Sequence, residues 1–136
     1  MPLLLLAAAA LLQAPDPCYA AEVPPGRAGC PAWRVLGRGP QGLVTVDPAS
    51  LHRAGAGFEI VIRFVYPEAA AGEIRSIVTG FRFDCAARTV AIGRGHAYGS
   101  DGERLDEEEP REGYTDPAPV PPDAPEAAVL TAYCPG

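Results

Sequence analysis

Large apolar side chains recur at every second position of FEIVIRFVY, residues 58–66, in the middle of the chain. The positions between them include the charged residues Glu59 and Arg63. Because successive side chains of a β-strand point to opposite faces, this pattern predicts a strand with one buried face and one polar face. The buried face is predicted to hold Phe58, Ile60, Ile62, Phe64 and Tyr66.

Three further stretches predict partners for this strand. Residues 73–84 alternate in the same way, and the short connection AAR leads from them into TVAIGRGHAYG, which predicts a returning strand. Before FEIVIRFVY, the stretch WRVLGRGPQGLVTVD predicts a hairpin with a loop longer than two residues, and PASLHRAGAG predicts a turn. The apolar face that begins in residues 73–84 is predicted to hold Ile77, Thr79, Phe81, Phe83 and Cys85.

A short helix is predicted at PDAPEAAVLTAYCPG, residues 122–136, after a polar, proline-rich loop at residues 100–122. Asp123 is a suitable N-cap, and Glu126 follows three residues later as in a capping box. The face of this helix that points to the sheet is predicted to hold Ala127, Leu130 and Cys134. The expected fold is therefore a single α+β domain, an antiparallel sheet with a short C-terminal helix.

Ten consecutive apolar residues, Leu3–Leu12, are too few to span a bilayer but suit the central region of a secretory signal peptide. A cut after Ala20 agrees best with the small-residue rule, since Cys18 and Ala20 take the small positions; a cut after Ala14 would place Pro15 next to the cleaved bond. We therefore expect a signal peptide at residues 1–20, a Pro/Gly-rich lead-in at 21–32 and the domain at 33–136. The mature chain would be exported, either to the periplasm or outside the cell.

Four cysteines in an exported chain favour disulfide bonds over reactive thiols. Cys85 and Cys134 fall on the inward faces of a strand and of the helix, so we expect them to pair. Cys18 and Cys30 leave three alternatives: a second pair if Cys18 survives cleavage, an unpaired Cys30 if it does not, or a lipid on Cys18. A nucleophilic Cys85 would need a nearby imidazole, from His52 or His96, and no zinc-ligand spacing is present.

The chain is acidic, with a formal net charge of −6, and all 11 of its basic residues are arginine. This balance argues against nucleic acid and anionic membranes as partners. The stretch SDGERLDEEEPRE concentrates seven acids against two arginines, without the spacing of an EF-hand, and we expect a solvated loop and no bound cofactor. Its candidate binding residues are Asp101, Glu103, Asp106, Glu107, Glu108 and Glu109.

The glycines of GRGHAYG resemble a dinucleotide fingerprint only superficially, because the third glycine comes one residue late and no helix is predicted after it. We expect these glycines to mark a bulge or a close approach of backbone.

With these motifs in order, the chain resembles the surface-adhesin protein E family of exported proteobacterial proteins. The resemblance covers Trp33 to Cys134 and rests on Trp33, VTVDPASLHRAG, FRFDCAART, Tyr98 and AAVLTAYC. It implies an antiparallel sheet with a C-terminal helix held by the Cys85–Cys134 pair, and an adhesin-like role.

The function expected from these features is a non-catalytic, exported binding domain of the cell envelope with an unknown protein ligand. The exposed edge of the sheet and the acidic loop are the expected contact surfaces, and the edge could also support a homodimer. Two alternatives remain at this point: an inhibitor of a secreted hydrolase such as lysozyme, acting through the acidic loop, and an enzyme that uses Cys85 or His96.

Overall fold

The computed structural model describes residues 15–20, 27–67, 72–106 and 113–135. In these residues six strands form one antiparallel sheet whose spatial order follows the chain. The strands are β1 (Arg34–Gly39), β2 (Gly42–Ala54), β3 (Gly57–Val65), β4 (Ser76–Asp84), β5 (Thr89–Tyr98) and β6 (Ala118–Pro119). The described residues also contain an α-helix, α1 (Glu126–Tyr133), and a 3-10 turn (Pro17–Tyr19). The expected antiparallel sheet with a short C-terminal helix is thus present.

The strand predicted from FEIVIRFVY is confirmed as β3, at the centre of the sheet beside β4. Phe58 pairs with Phe83 and Ile60 with Phe81, so the apolar positions of the two strands meet on one face. We call this the helix face, because α1 covers it with three buried side chains. These are Val129, Leu130 and Tyr133.

The opposite side of the sheet, the N-terminal face, is not simply solvated. Arg63 lies there, as the alternation predicts, yet it is only 3% exposed. Residues 15–20 and Trp33 cover it.

The turn predicted at PASLHRAGAG is confined to Gly55 and Ala56, which connect β2 to β3; the rest of the prediction is wrong, because β2 continues to Ala54. The pairing shifts between Asp47, opposite Val61, and His52, opposite Glu59, so the chain bulges out of the ladder instead of leaving it. Ser50 bridges the bulge: its Oγ donates to the carbonyl of Asp47 (2.7 Å) and accepts from the amide of Val61 (2.8 Å). Side-chain bonds here replace the missing backbone bonds.

Several boundaries also differ from expectation. The β1–β2 loop has only two residues, since Gly39 pairs with Gly42, and Gly42 adopts a φ of 113° that favours glycine. β4 begins at Ser76, three residues later than predicted. The predicted loop 100–122 contains β6, which pairs with the start of β5.

The helix starts later than predicted, with Pro125 as N-cap and no side-chain cap, so the expected capping by Asp123 is wrong. Proline at position 125 is compatible with a helix start, where its missing N–H is not needed. Cys134 follows the last helical residue in extended conformation, and Val129 and Tyr133, four residues apart, take the buried stripe instead of Ala127.

Two disulfides are present. Cys85–Cys134 joins the residue after β4 to the residue after α1, as predicted, with a Cα–Cα distance of 5.5 Å. Cys18–Cys30 closes a smaller loop, with a Cα–Cα distance of 5.1 Å. The Leu3–Leu12 segment lies outside the described residues. Within the described part, no helix has the length and apolar character needed to cross a membrane.

Candidate binding surfaces

β1 forms one edge of the sheet, and its outer side is exposed. In the described residues its ladder bonds all go to β2. Arg34 and Arg38 are exposed, and the side chain of Val35 is 42% exposed. An edge strand leaves outward N–H and C=O groups without strand partners, so β1 offers both backbone groups and side chains to another chain.

The other edge of the sheet is covered by the chain itself. β6 pairs with the start of β5, and at the end of β5 the backbone of Arg104 forms an isolated antiparallel β-bridge with Tyr98. Between these points the amide of Thr115 donates to the carbonyl of Ile92 (2.9 Å), and the amide of Leu105 donates to that of Ala97 (2.9 Å). Of the two edges, β1 is therefore the one available to a partner strand.

The exposed edge is also a local region of positive charge in an acidic chain. From Arg34 to Val46 the sequence contains two arginines and no acidic residue. At Leu36 a bulge shifts the pairing with β2, and this side chain packs against the core. Charged side chains and bulges both hinder indiscriminate pairing at a sheet edge. The edge therefore carries two features, a bulge and positive charge, that hinder indiscriminate pairing.

Asp106, one of the predicted binding residues, is committed to the fold. Its Oδ1 accepts from the amide of Ala97 (3.0 Å), and its Oδ2 lies 3.1 Å from Nδ1 of His96. Burial opposes ionisation of this carboxyl group, but the hydrogen bonds from His96 and Ala97 outweigh it and lower the pKa of Asp106. Asp106 thus anchors the middle of the acidic loop to β5.

The remaining acidic candidates divide into two groups. Asp101 and Glu103 are exposed, and Asp101 accepts from the amide of Glu103 (3.1 Å) within its own turn. The other three candidates lie outside the described residues; they are Glu107, Glu108 and Glu109. The described acids therefore do not form a cluster, and among the described residues no group of three metal-ligating side chains comes together.

The residues proposed for catalysis are not assembled into a site. Cys85 is in a disulfide, so it has no thiol to act as a nucleophile. His96 pairs with Val78, near the opposite end of β4 from Cys85, and its ring is engaged by Asp106. His52 is exposed on β2, opposite Glu59.

A cluster that the sequence did not reveal lies at the far end of the N-terminal face. Arg82 donates from Nη2 and Nε to Oε1 of Glu59 (2.7 and 2.9 Å), and its Cζ lies 4.1 Å from the ring centroid of Tyr114. A Cβ on Gly93 would lie 2.9 Å from the carbonyl oxygen of Gly80 and 3.0 Å from the Tyr114 ring. Glycine in GRGHAYG therefore permits a bulge and a close approach of backbone, as expected, and in addition the close approach of the Tyr114 ring.

This cluster borders a half-open cavity of about 240 Å³. Burial, and then the charge of Glu59, raise the pKa of the Tyr114 hydroxyl. Because the charges of Arg82 and Glu59 neutralise each other and Tyr114 belongs to the segment that covers β5, we interpret the cluster as a fastening of that segment to the sheet. No sequence pattern links these three residues, since Tyr114 is 32 residues from Arg82.

The comparison with protein families agrees with this architecture. The family model described as surface-adhesin protein E matches residues 33–135, which include the whole sheet, α1 and the Cys85–Cys134 disulfide. The predicted resemblance is confirmed. The matched range excludes both Cys18 and Cys30, so the second disulfide lies outside it. No curated protein matches the chain.

Proposed function

The chain belongs to the surface-adhesin protein E family, and we propose that it is a non-catalytic binding domain of the cell envelope that holds its partner at the β1 edge. Family membership and the disulfides point to an exported protein with an adhesin-like role. The finer statements, which are the absence of catalysis, the surface used and the kind of partner, are our proposal.

The exposure of β1 is the observation that carries this proposal. An extended segment can add to a sheet edge as one more strand, with backbone hydrogen bonds for affinity and side-chain contacts for specificity. β1 spans six residues, about 20 Å of extended chain at roughly 3.3 Å per residue. Val35 adds an exposed apolar contact on this strand.

The charge of the edge favours an acidic partner. Arg34 and Arg38 flank Val35 and Gly37 on the same strand, and both guanidinium groups are exposed. The register places Arg34 opposite Val46 and Arg38 opposite Leu43, so the two arginines lie on opposite faces of the sheet. An extended segment with alternating acidic residues would therefore place carboxylates beside one of them, and charge pairing of this kind sets orientation and partner choice. A second copy of β1 would instead bring arginines against arginines, which disfavours an edge-to-edge homodimer.

The state of the cysteines and histidines supports a non-catalytic role. The Cys85 sulfur is consumed by a disulfide, and His96 is held by a carboxylate that also bonds backbone, as in a structural anchor. The hydrolase-inhibitor alternative depended on a free acidic loop. Asp106 is turned into the fold, so the described residues give that alternative no specific support.

The proposal can be tested by NMR on the ¹⁵N-labelled exported protein. Two synthetic peptides of about eight residues, the length of an ordinary strand, would alternate valine with glutamate or valine with lysine. The glutamate peptide should shift the amide signals of residues 34–39, less so as NaCl is added, and the lysine peptide should not. Equal effects of the two peptides, shifts confined to another surface, or no shifts at all would contradict the proposal.

A further inference from the structure

Residues 15–20 lie against the N-terminal face of the sheet, where Cys18, Tyr19 and Ala20 are half-buried. The ring of Tyr19 stacks on that of Tyr98, with centroids 4.4 Å apart, and lies 6.4 Å from the ring of Trp33. Tyr98 is buried at the end of β5, and Trp33 directly precedes β1. The Tyr19 side chain therefore links the end of β5 to the residue that precedes β1.

The backbone of the same segment provides acceptors for a buried charge, although Nε of Arg63 has no acceptor among the described residues. Arg63 donates from Nη2 to the carbonyl oxygens of Tyr19 (3.1 Å) and Ala20, and its Cζ lies 5.8 Å from the Trp33 ring. Burial lowers the pKa of Arg63. No carboxylate of the described residues lies within ion-pair distance of this guanidinium, so these two carbonyls are its principal acceptors there. A buried cation without acceptors is strongly unfavourable.

The segment is also fixed at Asp16 and at Cys18. Cys18 is bonded to Cys30, and the amide of Asp16 donates to the carbonyl of Gly102 (3.0 Å). A Cβ at Gly102, where φ is +88°, would overlap the Asp16 carbonyl oxygen. The disulfide, the Arg63 bonds, the aromatic stack and the Gly102 contact are four separate interactions, and all require residues that the small-residue rule assigns to the leader.

We propose that residues 15–20 remain in the mature exported protein, so that the leader peptidase hydrolyses a bond N-terminal to Pro15 and not the bond after Ala20. The reaction adds one water across that peptide bond, releases the leader and leaves a new α-amine upstream of Asp16. This processing site is independent of the ligand proposed above.

The two cuts yield chains that differ in their capacity to fold. A leader is removed before folding is complete, so these contacts cannot protect the bond after Ala20 from the leader peptidase. They show instead that only a mature chain that keeps residues 15–20 can form them. A chain starting at Ala21 would lack both acceptors of Arg63 and the ring of Tyr19, and would leave Cys30 as a free thiol. A lipid on Cys18 is also incompatible with the Cys18–Cys30 disulfide, because one sulfur cannot serve both bonds.

The test is the intact mass of the full chain after export from a bacterial host, with alkylation under non-reducing conditions. We expect a first residue at or before Pro15, two disulfides and no alkylated thiol. The Cys30→Ser variant discriminates further, because it exposes one alkylatable thiol if Cys18 is retained and none if Cys18 has been removed. A mature chain that starts at Ala21, with one free thiol in the wild type and none in Cys30→Ser, would overturn the proposal.

A second variant reads out the packing of the segment. Tyr19→Ala should lower the melting temperature of the exported protein by on the order of 10 °C, because it removes a ring from between Tyr98 and Trp33. If the segment were cleaved away, the substitution would leave both mass and melting temperature unchanged. Ala28→Ser, at an exposed position in the loop closed by Cys18–Cys30, is the control and should leave the melting temperature unchanged.

Discussion

Cys85 directly follows β4 and Cys134 directly follows α1, and the disulfide between them ties the helix to the sheet that it covers. The two residues are 49 positions apart, and the intervening chain includes β5, the acidic loop and β6. Next to this link, Nη1 of Arg53 donates to the carbonyl of Tyr133 (3.0 Å), so the end of the helix is held by both a covalent and a polar contact.

Replacing Cys85 and Cys134 together by alanine should destabilise the domain by about 4 kcal/mol, the chain-entropy value for a loop of this length. Urea unfolding monitored by circular dichroism would measure the change. Replacing Cys18 and Cys30 by serine should cost about 3 kcal/mol on the same basis, since that loop is shorter. A smaller effect for the first pair than for the second would contradict the role given to the long loop.

Arg53→Met should remove the polar contact at the helix end while keeping an apolar stem over Phe58. We expect a loss of about 1 kcal/mol, because one hydrogen bond to a charged donor disappears and the helix C-terminus loses a cation. Arg94→Met, at an exposed position on β5, is the matched control and should change the free energy of unfolding by less than about 0.5 kcal/mol. Equal effects of the two substitutions would argue against the contact.

Gly93→Ala should destabilise the protein by about 1–3 kcal/mol, because the added methyl group meets the backbone of Gly80 and the ring of Tyr114, and the backbone cannot move aside cheaply. Gly39→Ala is the control, since a Cβ there has no heavy atom within 4 Å among the described residues and the φ of Gly39 is ordinary. Thermal unfolding of both variants would check this. A stable Gly93→Ala protein would mean that Tyr114 does not lie over the bulge.

The anchoring of Asp106 predicts a specific acid dependence. Its pKa is lowered in the folded protein, so the unfolded chain binds this proton more readily, and the group stabilises the fold above its unfolded pKa. This contribution should be lost as the pH falls below the usual aspartate range and through the lowered folded pKa. In Asp106→Asn the free energy of unfolding should therefore fall less steeply as the pH is lowered.

Urea unfolding midpoints measured from pH 6 down to about pH 2 would give this pH dependence of stability. Asp116→Asn, at an exposed position, serves as the control and should keep the wild-type slope. An unchanged slope in Asp106→Asn would show that the carboxylate does not hold the loop to β5.

Local patterns predicted those parts of the fold in which one face is apolar and the other polar. FEIVIRFVY gave the position of β3, and its alternation gave the residues that meet β4. The bulge at Asp47–His52 was mistaken for a turn because Pro48 and Ser50 are turn residues, and only the pairing with β3 shows that the strand continues. Tertiary contacts override local propensity at such positions.

Contacts between residues far apart in the chain could not be predicted from local sequence patterns. Tyr114 and Arg82 meet only because the segment after the acidic loop returns across the sheet. Arg63 looked like a solvated charge, since alternation assigns it to the polar face and says nothing of what covers that face. Its cover comes from residues 15–20, which the leader motif had assigned to the signal peptide.

The most direct test of binding at the β1 edge is the affinity of the exported protein for the glutamate–valine peptide, measured by titration for the wild type, Arg34→Glu/Arg38→Glu and Arg94→Glu. The double variant should lose at least tenfold in affinity for the acidic peptide and gain affinity for the lysine–valine peptide, because the charge of the edge is inverted. Arg94→Glu should match the wild type. Unchanged binding by the double variant, or an equal loss in Arg94→Glu, would contradict binding at the β1 edge.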